Sequence, residues 1–219
     1  MAKEVMIPLV CVTNNPAEIP NKELPEEYII KPNHASGRYI IVEKGDVPDW
    51  KKIIAICEKW LRMPYGLAKH EWAYQQIKPM IVVEILLRDE DGKVPMDYKL
   101  FMFQGKCKLV QVNCDRFSMH TKSLFDENWK YLDIMYNLPK GFYVEKPANF
   151  SKMLTVAEKL SKPFDFVRVD FYSIGNKLFV GELTNYPESG MGRFYPQSFD
   201  VELGEYLVIQ PKYWENRRC

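Results

Sequence analysis

Two carboxylates and a guanidinium lie close together near the end of the sequence. Arg168 and Asp170 fall in Val167-Arg168-Val169-Asp170-Phe171, and Glu182 in Gly181-Glu182-Leu183-Thr184. Alternate residues of a strand share a face. Arg168 and Asp170 therefore point one way, while Val167, Val169 and Phe171 point the other and can pack a core. A turn at Gly175-Asn176 would fold residues 177–184 back on 164–172 and bring Glu182 and Thr184 beside Asp170. Magnesium prefers carboxylate oxygens and commonly bridges to substrate phosphates. A neighbouring arginine suits a transferring phosphoryl group or an oxyanion. The same residues also describe an ordinary salt-bridged sheet face, and spacing alone leaves the two readings evenly matched.

Other stretches carry weaker signals. Lys31 precedes Asn33-His34-Ala35-Ser36-Gly37, a loop of small residues whose backbone amides could approach phosphate; an ordinary hairpin turn explains it better. Glu84 interrupts the apolar run 81–87, and a carboxylate is costly to bury unless it is paired. Either a ligand edge or, more simply, a structural ion pair accounts for it. Asp97 and Lys99 share a strand face and could form an ion pair or touch a nucleotide. His34, His70 and His120 lack metal-ligand spacing, and no Gly-x-Ser-x-Gly is present.

These residues need elements to hold them. The periodicity predicts strands over 6–12, 28–31, 39–43, 80–87, 98–103, 108–113, 164–172 and 177–184. It predicts helices over 49–61, 69–77, from Asn149 or Ser151 to 160, and over 200–209. Residues 116–147 read as irregular and aromatic, with a helical turn near 126–132. The mixture of antiparallel hairpins with three or four helices is α+β. A break near residue 79 would divide a small lobe, residues 1–79, from a large one, residues 80–219.

Composition narrows the function. The chain has 219 residues, 47% hydrophobic and 27% charged, enough for a real core. Thirty basic against 29 acidic residues leave a net charge of +1, which gives no nucleic-acid or membrane footprint. No apolar run is long enough to span a bilayer. The five cysteines, at 11, 57, 107, 114 and 219, form no CxxC and are odd in number, which fits a reducing cytoplasm.

Taken in order, several stretches resemble one family. They are residues 28–37 (Tyr-Ile-Ile-Lys-Pro-Asn-His-Ala-Ser-Gly), 71–74, 77–79, 83–87, 97–99, 103–106, 115–116, 125–129, 146–147, 164–172 and 181–184. The set is similar to the TupA-like family of the ATP-grasp superfamily, named for teichuronic acid biosynthesis, and runs from about residue 6 to 205. The resemblance implies an ATP-grasp fold, with two lobes of antiparallel sheet and flanking helices holding ATP between them. It implies that Lys31 meets the α and β phosphates, that His34, Ser36 and Gly37 belong to a phosphate lid, and that Glu84, Ile85, Leu86 and Leu87 form the adenine hinge. Asp97 would lie near the ribose and Lys99 beside the phosphates. Asp170 and Glu182 would hold Mg2+, and Arg168, with Lys99, would serve the transferred group. The family's metal motif is usually Glu-x-Asn; here Thr184 stands in the last position, so Thr184 or Asn185 is expected to complete the set. Relatives carry a longer segment before the first strand, so an N-terminal pre-ATP-grasp domain is expected to be absent, its part taken by a homodimer mate, by a partner, or by nothing.

The function implied is a Mg-ATP-dependent carboxylate–amine ligase acting through an acyl phosphate, on a sugar acid or amino acid of cell-surface polysaccharide synthesis. Such transfer needs positioning and charge neutralisation more than a protein nucleophile. A glycosyltransferase-like role, a small-molecule kinase and a non-catalytic ATP-binding module stay open beside it. Loops over 113–147 and 186–199 carry Arg116, His120, Lys122, Lys146 and Arg193. Of these, Arg116, Lys146 and Arg193 are the candidates for a substrate pocket, and packing around Trp129 and Tyr131 would explain them as well.

Overall fold

The computed structural model describes residues 3–114 and 121–209. They form two compact units. The first, Met6–Leu87, is a four-stranded antiparallel sheet carrying one helix. Its strands are β1 (Leu9–Thr13), β2 (Tyr28–Pro32), β3 (Ile40–Val42) and β4 (Ile81–Ile85), in the order β1-β4-β2-β3. Helix α1 (Trp50–Arg62) starts where Asp49 accepts a hydrogen bond from the Lys52 amide at 3.1 Å, a side-chain cap. Its apolar stripe buries Ile53 and Cys57 against Ile30, Val42, Ile81 and Val83. The helix expected over 69–77 is instead two short 3-10 turns, Leu67–Lys69 and Trp72–Gln76. Gly66 and His70 flank the first turn with left-handed backbones, which a continuous helix cannot contain.

The run at 81–87 is central as expected, but it pairs with β1 on one side and β2 on the other. It therefore belongs to the first unit, which runs past the break expected near residue 79.

The second unit holds residues 88 onward together with the turn Lys3–Val5. Its sheet contains β5 (Asp97–Phe103), β6 (Lys106–Cys114), β7 (Thr121–Phe125), β8 (Tyr131–Leu132), β10 (Phe166–Ile174) and β11 (Lys177–Thr184). The order is β11-β10-β5-β6-β7-β8, antiparallel throughout. A separate two-stranded ribbon joins β9 (Met135–Tyr136) to β12 (Phe194–Tyr195). The segment expected to be irregular thus supplies three strands among the described residues. The expected helical turn at 126–132 is a tight turn instead. Asp126 Oδ1 accepts from the Asn128 and Lys130 amides, both at 2.8 Å, and closes the turn before β8.

Helix α2 (Phe150–Ser161) covers one face of this sheet. Phe150, Met153 and Ala157 pack on Leu100, Met102, Val110, Val167, Val169 and Phe171. Burying each of the larger of these side chains, Phe150 and Met153 among them, contributes about 1.5–3 kcal/mol. Asn149 stands at the cap position, yet its side chain does not cap. Its amide donates to Ser173 Oγ (3.1 Å) and the Gly175 carbonyl (2.9 Å), which ties α2 to the β10–β11 turn. Helix α3 (Gln197–Gly204) follows β12 directly after Pro196, earlier than the 200–209 expected. No helix among the described residues is long and apolar enough to cross a membrane.

Candidate active site

Strand pairing in the second unit sorts its residues onto two faces. Directly opposed residues of antiparallel strands share a face. Asp170 faces Lys99 on β5 and Glu182 on β11, and Arg168 faces Thr184. Lys99 faces Gln111, Asp97 faces Asn113, and Asn113 faces Lys122. Nine polar side chains from five strands therefore occupy the face opposite α2. The far end of that same face is apolar, where Phe101, Leu109, Leu124, Tyr136 and Phe194 cluster. The polar end is thus bounded by a core on its reverse side and an aromatic wall at one edge.

At its centre lies Asp170, which is buried. Arg168 donates Nε to Asp170 Oδ1 at 2.7 Å and Nη2 to Oδ2 at 2.8 Å, a two-bond pairing. Lys99 Nζ also bonds to Asp170 Oδ2 and meets Asp97 Oδ2 at 2.8 Å. Arg168 Nη2 donates further to Thr184 Oγ1 at 3.0 Å, and Thr184 Oγ1 donates to Glu182 Oε1 at 2.6 Å. Burial favours loss of the Arg168 proton, but the charge and hydrogen bonds of Asp170 outweigh it and hold the guanidinium above its ordinary value. The arginine stays charged under all ordinary conditions.

A second chain of polar groups runs along β6. Gln111 Nε2 donates to Asn113 Oδ1 at 2.6 Å, and Asn113 Nδ2 to Asp97 Oδ2 at 3.4 Å. Gln111 Oε1 is buried with no hydrogen-bond partner in the structure. A buried acceptor without a partner is uncommon, and this one lies on the polar side of the sheet. Neither residue stands out in the sequence, because a polar residue at every second place is ordinary for a strand with one wet face.

Lys122 is the third cation of the face and is 4% exposed. Its Nζ meets Glu188 Oε1 at 2.6 Å and lies 4.5 Å over the Tyr136 ring. Burial lowers its pKa, opposed by Glu188 and reinforced by Arg168 and Lys99. Glu188 lies on the segment after β11. Glu188 and Ser189 both take left-handed backbone angles, φ 51° and 61°, at a cost of order 1–3 kcal/mol each for non-glycine residues. Gly192 lets this segment cross Tyr136, since a Cβ there would stand 2.4 Å from the ring.

The other expected residues fall as follows. Asn185 lies on the bend after β11. Lys146 Nζ sits 5.0 Å over the Phe150 ring, with the core on the α2 side of the sheet, away from the polar face. The Arg193 backbone is clamped by Asn137, donating its amide to Oδ1 at 2.8 Å. Arg116 and His120 lie outside the described residues.

In the first unit, Lys31 Nζ pairs with Glu84 Oε2 at 2.6 Å, across neighbouring strands. Ser36 and Gly37 are exposed, and Gly37 has φ 71°. His34 is buried, with Nε2 3.1 Å from the Trp60 carbonyl, so it anchors the loop to the end of α1. Beyond Glu84, the Ile85 and Leu86 amides are taken by the Pro8 and Glu27 carbonyls, both at 3.2 Å.

The donor set can be tested against magnesium. Among the described residues no three His, Cys, Asp or Glu converge as a self-sufficient metal site. Magnesium does not need one: it commonly takes one or two carboxylates and completes its shell with phosphates and water. Asp170 and Glu182 are opposed in register, and a carboxylate offers about four lone-pair directions. The pair therefore fits a magnesium ion that arrives with phosphates. The Thr184 hydroxyl is already engaged on both sides. Thiolate chemistry is disfavoured here, since burial pushes Cys57 up to about 11 and Cys107 up to about 12.

No curated protein sequence matches this chain. Among solved structures, the D-alanine–D-alanine ligase of Bacillus anthracis is 17% identical with a TM-score of 0.51, over 94% of this chain and 59% of the ligase. Its complex with ATP is 15% identical with a TM-score of 0.50, over 94% and 57%. The ATP-grasp ligase PsnB, with a precursor variant, Mg and ADP, is 12% identical with a TM-score of 0.46, over 84% and 46%. At such identities the D-alanine ligase likeness establishes a fold, and the chain spans less than two thirds of those enzymes. The model of the TupA-like ATP-grasp family matches residues 1–208. The fold is that of an ATP-grasp protein, and the chain belongs to the TupA-like ATP-grasp family.

Proposed function

We propose that the protein is an ATP-dependent carboxylate–amine ligase. The observation that carries this reading is Asp170 bonded to both Arg168 and Lys99 while directly opposed to Glu182. A cation pair and a carboxylate pair alternate on one sheet face, with Thr184 coupling Arg168 to Glu182. That arrangement suits a triphosphate with its counter-ion, because phosphoryl transfer rests on positioning and charge neutralisation.

In this reading a substrate carboxylate oxygen attacks the γ-phosphorus of ATP. The bond to the bridging oxygen breaks, ADP leaves and an acyl phosphate forms. An amine then attacks the acyl carbon, phosphate departs with its electron pair, and the amine gives up one proton as the amide forms. Arg168 and Lys99 bind the transferred group and balance its charge. Asp170 holds both cations in place, and Asp170 with Glu182 would hold magnesium, which supplies charge neutralisation at the phosphates. Lys31 is proposed as a phosphate contact and residues 84–87 as the adenine hinge. With the Ile85 and Leu86 amides engaged, carbonyls and the remaining amides of that stretch would meet the base. For the carboxylate we propose a sugar acid or amino acid of cell-surface polysaccharide synthesis, on the family resemblance alone.

The test is ADP release from Mg-ATP against a panel of sugar acids and amino acids, each with and without an amine. Release that depends on both, with an amide detected by mass spectrometry, is expected. A phosphorylated product without an amide would make the protein a kinase. ATP binding without any ADP would make it a binding module.

A further inference from the structure

Lys122 and Glu188 form an asymmetric pair. The lysine is built into β7 and is 4% exposed, whereas the Glu188 side chain is 40% exposed and lies on a turn outside the sheet. Glu188 and the next residue both hold left-handed backbone angles that L-residues seldom take. Asn137 adds a side-chain hydrogen bond to the same carboxylate. The fixed half of the pair is therefore the cation, and the anion is the half that a turn delivers from outside.

That anion meets Lys122, one of the three cations of the polar face. The positive charge of Arg168 is felt at Glu188, and those of Arg168 and Lys99 are felt at Lys122. Register places Lys122 opposite Asn113, which faces Asp97, the partner of Lys99. A carboxylate that attacks the γ-phosphorus must lie beside the groups that hold the phosphoryl, because reacting atoms must come within about 3–3.5 Å. The carboxylate that the segment after β11 delivers to this face is Glu188, and it meets Lys122.

We propose that Lys122 binds the carboxylate of the substrate, and that Glu188 fills the same position in the substrate-free protein and is displaced when substrate binds. The Tyr136 ring beneath Lys122, stacked on Phe194 at 4.2 Å, gives the position an aromatic floor. The ligand class is a small carboxylic acid presenting one carboxylate and an apolar face. This inference rests on the ligase reading, since it needs a carboxylate substrate. In the simplest alternative the pair only pins the segment after β11.

The experiment is a small-anion rescue. Glu188→Ala leaves a buried lysine facing an empty position, so thermal unfolding is compared in about 100 mM sodium acetate and in sodium chloride at equal ionic strength. Acetate is expected to raise the Tm of Glu188→Ala and not that of wild type or of Lys122→Met/Glu188→Ala. Glu188→Gln, which keeps the side chain's shape, serves if the alanine variant does not fold, and it should respond less. An acetate response that is the same in the single and double variants, or absent from both Glu188 variants, overturns the proposal. Stabilisation by Mg-AMPPNP is read on the same samples. Its loss from wild type sinks the ligase reading, while its presence without acetate rescue sinks only the assignment of Lys122.

Discussion

Arg168 and Glu182, on neighbouring strands, are joined through a single hydroxyl: Thr184 Oγ1 accepts from Arg168 at 3.0 Å and donates to Glu182 at 2.6 Å. The threonine stands where the family resemblance leads one to expect a metal-binding asparagine. Its hydroxyl accepts from the guanidinium and spends its one proton on the carboxylate, so it couples the orientation of Arg168 to that of Glu182.

Thr184→Val removes that link and keeps the side chain's shape. The residue is half-buried, so the fold should hold. With Glu182 free to rotate, the magnesium concentration giving half-maximal ADP release should rise about tenfold, the equivalent of one hydrogen bond to a charged group. An unchanged magnesium titration would remove Thr184 from the site.

Asp170→Asn and Glu182→Gln should separate stability from turnover. Asp170 is buried between two cations, and removing its charge leaves Arg168 without its carboxylate partner and Lys99 with Asp97 alone, at a cost of about 3–5 kcal/mol. Glu182 is exposed, so its substitution should leave the urea midpoint near that of wild type. Both should lose at least about a hundredfold in ADP release. If Glu182→Gln turns over normally, the carboxylate pair is a salt-bridged surface and not a magnesium clamp.

How far the sequence foretold this site follows from how local each feature is. Arg168 and Asp170 were legible because a two-residue period puts them on one face, and Glu182 as a carboxylate on the returning strand, but the pairing of Asp170 with Glu182 depends on a bulge that the Gly175-Asn176 turn does not reveal. The turn sets Ile174 opposite Lys177 and Phe171 opposite Val180, a register that would place Gly181 opposite Asp170; the bulge between Asp170 and Phe171 shifts the pairing by one and brings Glu182 there instead. The run 81–87 announced a central strand but not its sheet, because its partners β1 and β2 are far away in sequence. Lys122 was visible only as a loop cation. Its strand is five residues long, and its burial depends on Glu188 and Tyr136, which local patterning does not connect to it. His34 read as part of a phosphate lid. Its burial against the end of α1 depends on packing that the loop's small residues do not reveal.

Acid should expose the Lys122–Glu188 pair. Burial pushes the Glu188 carboxyl up, but the hydrogen bond and charge of Lys122 win and hold it below its ordinary value of 4.5. A depressed carboxyl contributes stability that is complete above 4.5 and is lost as pH falls through the folded-state value. Wild type should therefore lose stability more steeply than Glu188→Gln between pH 5 and the acid limit, as read from urea midpoints. Parallel curves would show that the carboxylate gains nothing from Lys122.

Lys31 and Glu84 allow the nucleotide reading of the first unit to be decided against a purely structural one. Their contact is 2.6 Å, and neither side chain is fully exposed, at 33% and 16%. A lysine serving only as the partner of Glu84 would couple to it in folding and nowhere else. A lysine that contacts phosphates would lower ATP affinity when removed, whatever stands at position 84. Lys31→Ala, Glu84→Gln and the double variant form a cycle that can be read twice, by urea unfolding and by ATP binding. Lys31→Ala should weaken ATP binding about tenfold or more in both backgrounds, with a stability coupling of about 1 kcal/mol for a partly exposed pair. Coupling in stability alone, with ATP affinity unchanged, would leave Lys31 as a sheet ion pair and confine the phosphate-binding role to Arg168 and Lys99.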